Sequence, residues 1–299
     1  MTNEVEWSRE QWLARSDAHR DRARMALASV VERRSRGEKH PVWDFLFDYY
    51  RLRPSELVAW SPGAGVRLLS APEFAGRRFF TTDEAGAARV DVAAFLGVRR
   101  GTLDFTRRLL TAVDSRPAHF GCFGLHEWAM VHRLPAEAVR HAAVPLRHSP
   151  EETAAIVEAH DLRCSHFDAF RFFTPTAAPL NQRPLTRDDQ LATDQGGCLH
   201  VNMDLYKWAG KLHPLTSSEL LFDCYELACD IRALDMRASA YDLAEWGFEA
   251  VPVETPEGKA EYVRQQRLFA ERAEGLRARL LAEIETMLAC APSVVTGGS

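Results

Sequence analysis

Apolar residues recur along most of this chain at helical spacing. From Gly101 onward the steps of three and four predict helices over Thr102 to Val113, Cys122 to His132, Pro150 to His160, Ser165 to Phe172, Leu199 to Leu212 and Ser217 to Leu234, with Pro-rich loops between them. A last long helix begins at Thr255-Pro256, a good N-cap followed by Pro at the first helical position. It carries Tyr262, Phe269, Ala273, Leu276, Leu280, Ile284 and Met287 on one stripe. Near the start, Ser8 to Arg36 holds Trp12, Met25, Leu27, Val30 and Val31 in highly charged surroundings, which predicts a long, partly exposed helix ended by Gly37. The next stretch, HPVWDFLFDYYRLRPSEL, is too rich in aromatics for a surface element and predicts a core helix. One segment has the other period. Arg77 to Val92 holds two short β-compatible runs around an Asp-Glu-Ala-Gly turn and predicts a hairpin. The expected fold is mainly α, a multi-helix globular domain with one small β-hairpin. Residues 1–39 would form a helical arm, 40–292 a single mainly helical domain, and 293–299, ending VVTGGS, a disordered tail.

Composition narrows the setting. The 299 residues are 46% hydrophobic, enough for a large core, yet no run reaches the roughly 18–20 apolar residues that span a bilayer. The charged N-terminus has no apolar signal core, so a cytoplasmic protein without membrane contact is expected. Six cysteines without a C-x-x-C pair point to reduced thiols and away from a thiolate zinc cluster. Acidic residues number 42 against 37 basic, a net charge of -5. Residues 215–299 hold 15 acidic and 8 basic side chains, leaving 27 and 29 for residues 1–214. A polyanion would therefore have to bind to the first two thirds of the chain.

Three segments set polar groups among aromatics as a ligand pocket does: GCFGLHEWAMVHR, RCSHFDAFRFF and GCLHVNMDLYKWAGKLH. In the first, His126-Glu127 with His132 is not a zinc-protease helix, because the second histidine lies six residues on, roughly 120° around the helix. Glu127 fits either a base or an exposed polar residue, and Trp128 either a stacking surface or core. In the second, Asp168 reads as a helix-start residue three after Ser165, while His166 and Arg171 sit among phenylalanines, Arg171 suiting a carboxylate or phosphate. In the third, His200, Asp204, Lys207 and Lys211 form one helical stripe beside Asn202, Tyr206 and Trp208. Lys207 and Lys211 are two of only four lysines, and the next helix offers Glu219, Asp223, Glu226 and Asp230. The two lysines answer that acidic stripe across a helix pair, or they belong to a site. In such a site Asp204 activates water, His200 orients it and Lys207 holds an anion. A metal reading uses His126, His166 and His200 with Glu226 or Asp204, a set suited to non-haem iron or zinc. Phosphate-loop, dinucleotide and G-x-S-x-G motifs are absent.

HPVWDFLFDYYRLRP, GLHEWAMVHR, RCSHFDAFRFFTPTAAPLN and GCLHVNMDLYKWAGKL together resemble a bacterial family of about this length commonly labelled 3-methyladenine DNA glycosylase. The likeness runs from about His40 to the final helix. It implies a DNA-repair N-glycosylase without a cofactor, acting on damaged DNA. Asp204 or Glu127, with His200, would be catalytic, and His126, Trp128, Tyr206 and Trp208 would line the pocket for a flipped base. Arg33, Arg34, Arg36 and Lys39, and Arg99, Arg100, Arg107 and Arg108, are the candidates for backbone phosphates or else solvated helix faces. SPGAGV precedes the hairpin and is no helix-hairpin-helix motif. Two alternatives stand beside this reading: a metal-dependent enzyme for a small-molecule substrate, and a non-enzymatic helical binding scaffold.

Overall fold

The structure, a computed structural model, describes residues 4–135, 138 and 144–291. The expected tail at 293–299 lies outside them. The chain opens with a short strand β1 (Val5–Trp7) and the long helix α1 (Arg9–Ser35), started by Ser8 and Gln11 in a reciprocal capping box. Helix α1 buries Trp12, His19, Ala23, Leu27 and Val30 and leaves its charged faces in solvent. The aromatic stretch after it is not one helix. It makes only α2 (Phe45–Asp48) and α3 (Pro54–Val58), because Arg51 takes a left-handed conformation and Arg53, preceding a proline, is extended. Its rings still pack inward, Tyr50 against Tyr206 at 5.3 Å between centroids.

Strands β2 (Val66–Leu68), β3 (Phe80–Thr82) and β4 (Ala88–Val90) complete a sheet of order β1-β2-β4-β3, with β1 parallel to β2 and the other pairs antiparallel. The expected hairpin is the β3–β4 pair. All four strands are three residues each, too short for a period to register; a turn marks the hairpin, whereas β1 and β2 pair in parallel across the whole of α1 with no turn between them. This sheet has its own small core of Trp12, Trp60, Val66, Leu68, Phe74 and Ala88. The Trp12 indole N–H donates to Leu69 O at 2.9 Å, so α1 and the sheet are fastened together.

Helix α4 (Val92–Asp114) starts earlier than its period suggested, capped by Asp91 and kinked at Arg99. Helix α5 (Leu125–Ala129) is shorter than the expected Cys122 to His132, since Phe123 and Gly124 both have positive φ. A side chain at Gly124 would also come within 3.1 Å of the Tyr262 ring, so glycine answers both demands. Helices α6 (Pro150–Glu158), α7 (Phe167–Phe170) and α8 (Gln190–Thr193) are short. Then α9 (Leu199–Leu212) and α10 (Ser218–Arg237) pack along one another, flanked by α11 (Pro256–Ala289) and α4. The molecule is thus mainly α with a small sheet. Every residue of α9 from Leu199 to Tyr206 is buried. A helix buried all round is ordinarily apolar, and its His200, Asn202 and Asp204 each need a partner.

The acidic stripe of α10 finds its cations elsewhere than on α9. Asp223 pairs with Arg22 and Arg279, Glu226 with Arg22, and Asp230 with Arg272, while Glu219 accepts from the Trp60 indole. Arg22 belongs to α1, Arg272 and Arg279 to α11, so these pairs tie three helices at the surface. Lys207 is drawn inward. Glu226, offered as a metal ligand, instead pairs with Arg22 at the surface and belongs to none of the groups of described residues close enough to share an ion.

Candidate functional site

The two acids of α9 and α10 that face inward organise the centre of the molecule. Asp235 on α10 is fully buried and lies on the opposite side of that helix from the acidic stripe. It holds His126 Nε2 at 2.9 Å, Arg232 Nη1 at 3.3 Å and His200 Nε2 at 3.8 Å. Arg232 also reaches Glu127 at 3.2 Å. His126 and Glu127 come from α5, His200 from α9, Arg232 and Asp235 from α10. One ligand atom from each of His126, Glu127, His200 and Asp235 lies within 4.8 Å of the others, close enough to share a metal ion. Cys122, one turn before His126, places Sγ 3.3 Å from His126 Nδ1. That contact fixes the ring from its far side.

A second group adjoins the first through stacked imidazoles, His166 over His200 at 5.7 Å and 9°. His166 Nδ1 meets Asp194 at 3.0 Å and Nε2 faces Asp204 at 3.7 Å. Lys207 Nζ sits between Asp204 at 2.8 Å and Asp168 at 2.9 Å, and the Tyr50 hydroxyl donates to the other Asp204 oxygen at 3.1 Å. Arg171 approaches Asp168 at 3.3 Å. His166, Asp168 and Asp204 are likewise within 4.8 Å of one another.

Protonation follows from these neighbours. Burial alone would lower the His126 imidazole, but the Asp235 carboxylate and Cys122 outweigh it and raise it well above an ordinary histidine. Burial lowers His200 well below the usual range, and the positive His126 beside it adds to that. Glu127 is raised, first by burial and then by Asp235. Asp168 is pulled down to about 2 against its burial, chiefly by Lys207. Lys207 itself is raised by Asp204 and Asp168 in spite of burial.

Among the proposed pocket residues, His126, Glu127, His166, His200, Asp204 and Lys207 therefore converge. Arg171 and Trp208 reach the rim, where Lys207 and Lys211 lie over the Trp208 ring at 4.7 Å and 4.9 Å. Trp128 and Tyr206 belong to the core: Trp128 is 0% exposed and gives its N–H to Ala238 O, and Tyr206 packs between Tyr50 and Tyr225. Asn202 bonds Gly196 O at 2.8 Å and holds the loop leading into α9. Sequence reading missed Asp235 and Arg232. Their signal was an Arg-Asp pair at i, i+3 among Leu227, Ile231 and Leu234, on the side of α10 that the acidic stripe leaves apolar.

Three hollows reach this centre. A cavity of about 40 Å³, bounded by Tyr50, Glu127, His166, His200, Asp204 and Arg232, lies inside it. A second of about 700 Å³ meets the other side of His200 and includes His126, Cys122, Cys164 and Cys198. The third, about 820 Å³, is bordered by Tyr49, Asp168, Arg171, Lys207, Trp208 and Lys211. No helix among the described residues is long and apolar enough to cross a membrane. Comparison with protein-family models, with curated proteins and with solved structures finds no match for this chain.

Proposed function

We propose that this chain is a metal-dependent enzyme, with His126, His200 and Asp235 holding a zinc or iron ion and Glu127 serving the reaction as acid or base. The observation that carries this reading is the convergence of two imidazoles and two carboxylates, all buried, within 4.8 Å from three separate helices. Two histidines and one carboxylate with room beside them are the donor set of catalytic zinc and of non-haem iron. A divalent ion there supplies Lewis acidity toward a substrate oxygen. Cys122 orients His126 through Nδ1, and His200, kept neutral by its surroundings, offers a lone pair. Glu127, raised by burial, is suited to take and return a proton, and Arg232 between Glu127 and Asp235 is placed to steady negative charge developing in the small cavity. The test is metal analysis of protein purified without a histidine tag. About one zinc or iron per chain is expected, with thermal stabilisation on adding that metal to stripped protein. A preparation that neither retains nor responds to metal defeats the reading.

A second reading, excision of an alkylated base from DNA, is favoured by one surface feature. The hollow at Lys207 continues into another of about 550 Å³, and the two share Tyr50, Arg51, Lys207 and Lys211. Arg77, Arg78 and Arg99 line the continuation, against Glu56, Asp168 and Asp188 as the acids of both. Such a groove suits a phosphate backbone over Trp208, with Asp204 behind it to stabilise an oxocarbenium-like sugar. The basic clusters named from sequence contribute less. Arg34 pairs with Asp48, Arg36 with Glu32 and Glu38, Arg100 with Asp104, and Arg107 with Glu285. Duplex DNA carrying an abasic analogue should bind with affinity that drops steeply as salt rises, and absent or salt-independent binding removes this reading.

A further inference from the structure

The cavity of about 700 Å³ differs from the other hollows in its charge. Arg116, Arg163, Arg183 and His119 line it, and no aspartate or glutamate among the described residues does. Its size falls within the range of small-molecule sites, roughly 300–1,000 Å³. The arginines are not spent on carboxylates of the cavity. Arg116 is held by main-chain oxygens of Asp194 and Leu191, which fixes a guanidinium in the wall without neutralising it. Among the described residues Arg163 pairs with Asp161 alone, whose side chain is 86% exposed and screened by solvent. Thr193 in the same wall is buried, and its hydroxyl lacks a hydrogen-bond partner among the described residues. Gly197 keeps this wall closed, since a Cβ there would stand 2.5 Å from His119 O.

We infer that this cavity is the substrate entrance to the His126–His200 centre, and that the substrate is a small organic anion whose carboxylate or phosphate lodges among Arg116, Arg163 and Arg183. The inference rests on the metal-enzyme reading for what happens at the floor, but not for the binding itself. The charged group is matched by the fixed Arg116 and by the more exposed Arg163 and Arg183, in a concave wall with no carboxylate among its described residues, which concentrates anions there. The uncharged body of the molecule lies along Phe120 and the Cys122, Cys164 and Cys198 thiols, leaving its far end against the His126 and His200 rings. The hollow at Lys207 is a poorer fit, because Asp168 and Asp188 stand in it.

Cys122 on the cavity floor supplies the reporter. Iodoacetate and iodoacetamide alkylate the same thiolate and differ in charge, so the ratio of their rates reads the local field. Peptide mass spectrometry should find that ratio at least about tenfold higher at Cys122 than at Cys290, which lies outside the cavity. Inorganic phosphate or malonate should lower it, and the stronger of the two identifies the anion class. The exposed pair R163Q/R183Q should bring the ratio at Cys122 down to that of Cys290 while melting temperature and metal content stay unchanged. Equal ratios at the two cysteines in the unaltered chain, or no response to R163Q/R183Q, overturn the inference. Should Cys122 resist both reagents, the melting-temperature shift given by phosphate or malonate decides. A shift lost in the double variant supports the site, and one equal in both proteins, or absent, refutes it. Duplex DNA outcompeting both small anions at this cavity also refutes it. Anion selectivity in a chain without metal leaves the cavity standing and removes the metal reading, and metal without selectivity does the reverse.

Discussion

The two halves of the buried centre are built from the same residue types and are balanced differently. Around Asp204 the cation is a lysine whose single ammonium lies within 2.9 Å of both carboxylates, with Tyr50 taking up a further oxygen. Around Asp235 the fixed cation is Arg232, which reaches Glu127 and Asp235 only at 3.2 Å and 3.3 Å and leaves two imidazoles to complete the set. The first half already contains its positive charge, in the position an ion would take. In the second, neutrality depends on protons that an ion can replace. Proximity of acids and histidines alone does not mark a metal site, then; what matters is whether a side-chain cation has filled the gap.

The largest expected effect tests that distinction at Asp235. Asp235→Asn leaves Arg232 and His126 without their buried counter-charge, and urea unfolding should report a loss of about 3–5 kcal/mol together with loss of bound metal. Lys207→Met should cost a comparable but smaller amount, about 3 kcal/mol, and leave metal content unchanged. In the unaltered protein Asp168, lowered to about 2, contributes stability that is fully present above about pH 4 and lost as pH falls through about 2. That acid-side loss should be missing from the variant. Were Lys207→Met to gain a metal ion, the two halves of the centre would be equivalent in what they can hold.

Proton competition comes next in size. A raised His126 holds its proton to higher pH, and an ion must displace it, so apparent metal affinity should rise with pH. The slope should approach about tenfold per pH unit while that one proton is released, as measured by chelator competition between pH 6 and 8. Flat affinity over that range would take His126 out of the ligand set. The smallest effect is expected at Glu226→Gln, on the solvent side of the same helix as Asp235. Its pair with Arg22 is exposed on both sides, and stability should change by less than about 1 kcal/mol with metal content unaffected.

Much of the fold was legible because long helices repeat their signal many times. Helix α11 was readable from Thr255-Pro256 and from a stripe that includes Tyr262, Leu280, Ile284 and Met287, all buried. Short elements gave no such repetition, and β1, β2 and the breaks at Arg51 and Phe123 depend on single backbone conformations that a period cannot record. The site divided in the same way. His126, Glu127, His166, His200, Asp204 and Lys207 were found because polar groups interrupt apolar helices. Asp235 was overlooked because four other acids on α10 made it look like one more member of a charged face. Spacing along one helix pair left Lys207 and Lys211 either to those acids or to a site, and arginines from α1 and α11, distant in sequence, reach the acids instead.

His200 borders both the cavity of about 40 Å³ and that of about 700 Å³, so its ring is the partition between an inner chamber and an outer one. Truncating it to glycine merges the two compartments and leaves a vacancy of imidazole shape, bounded by the rings of His126 and His166. Free imidazole supplied in solution should enter that vacancy from the outer chamber and restore what the truncation removes, a repair that no other histidine of the centre offers so directly.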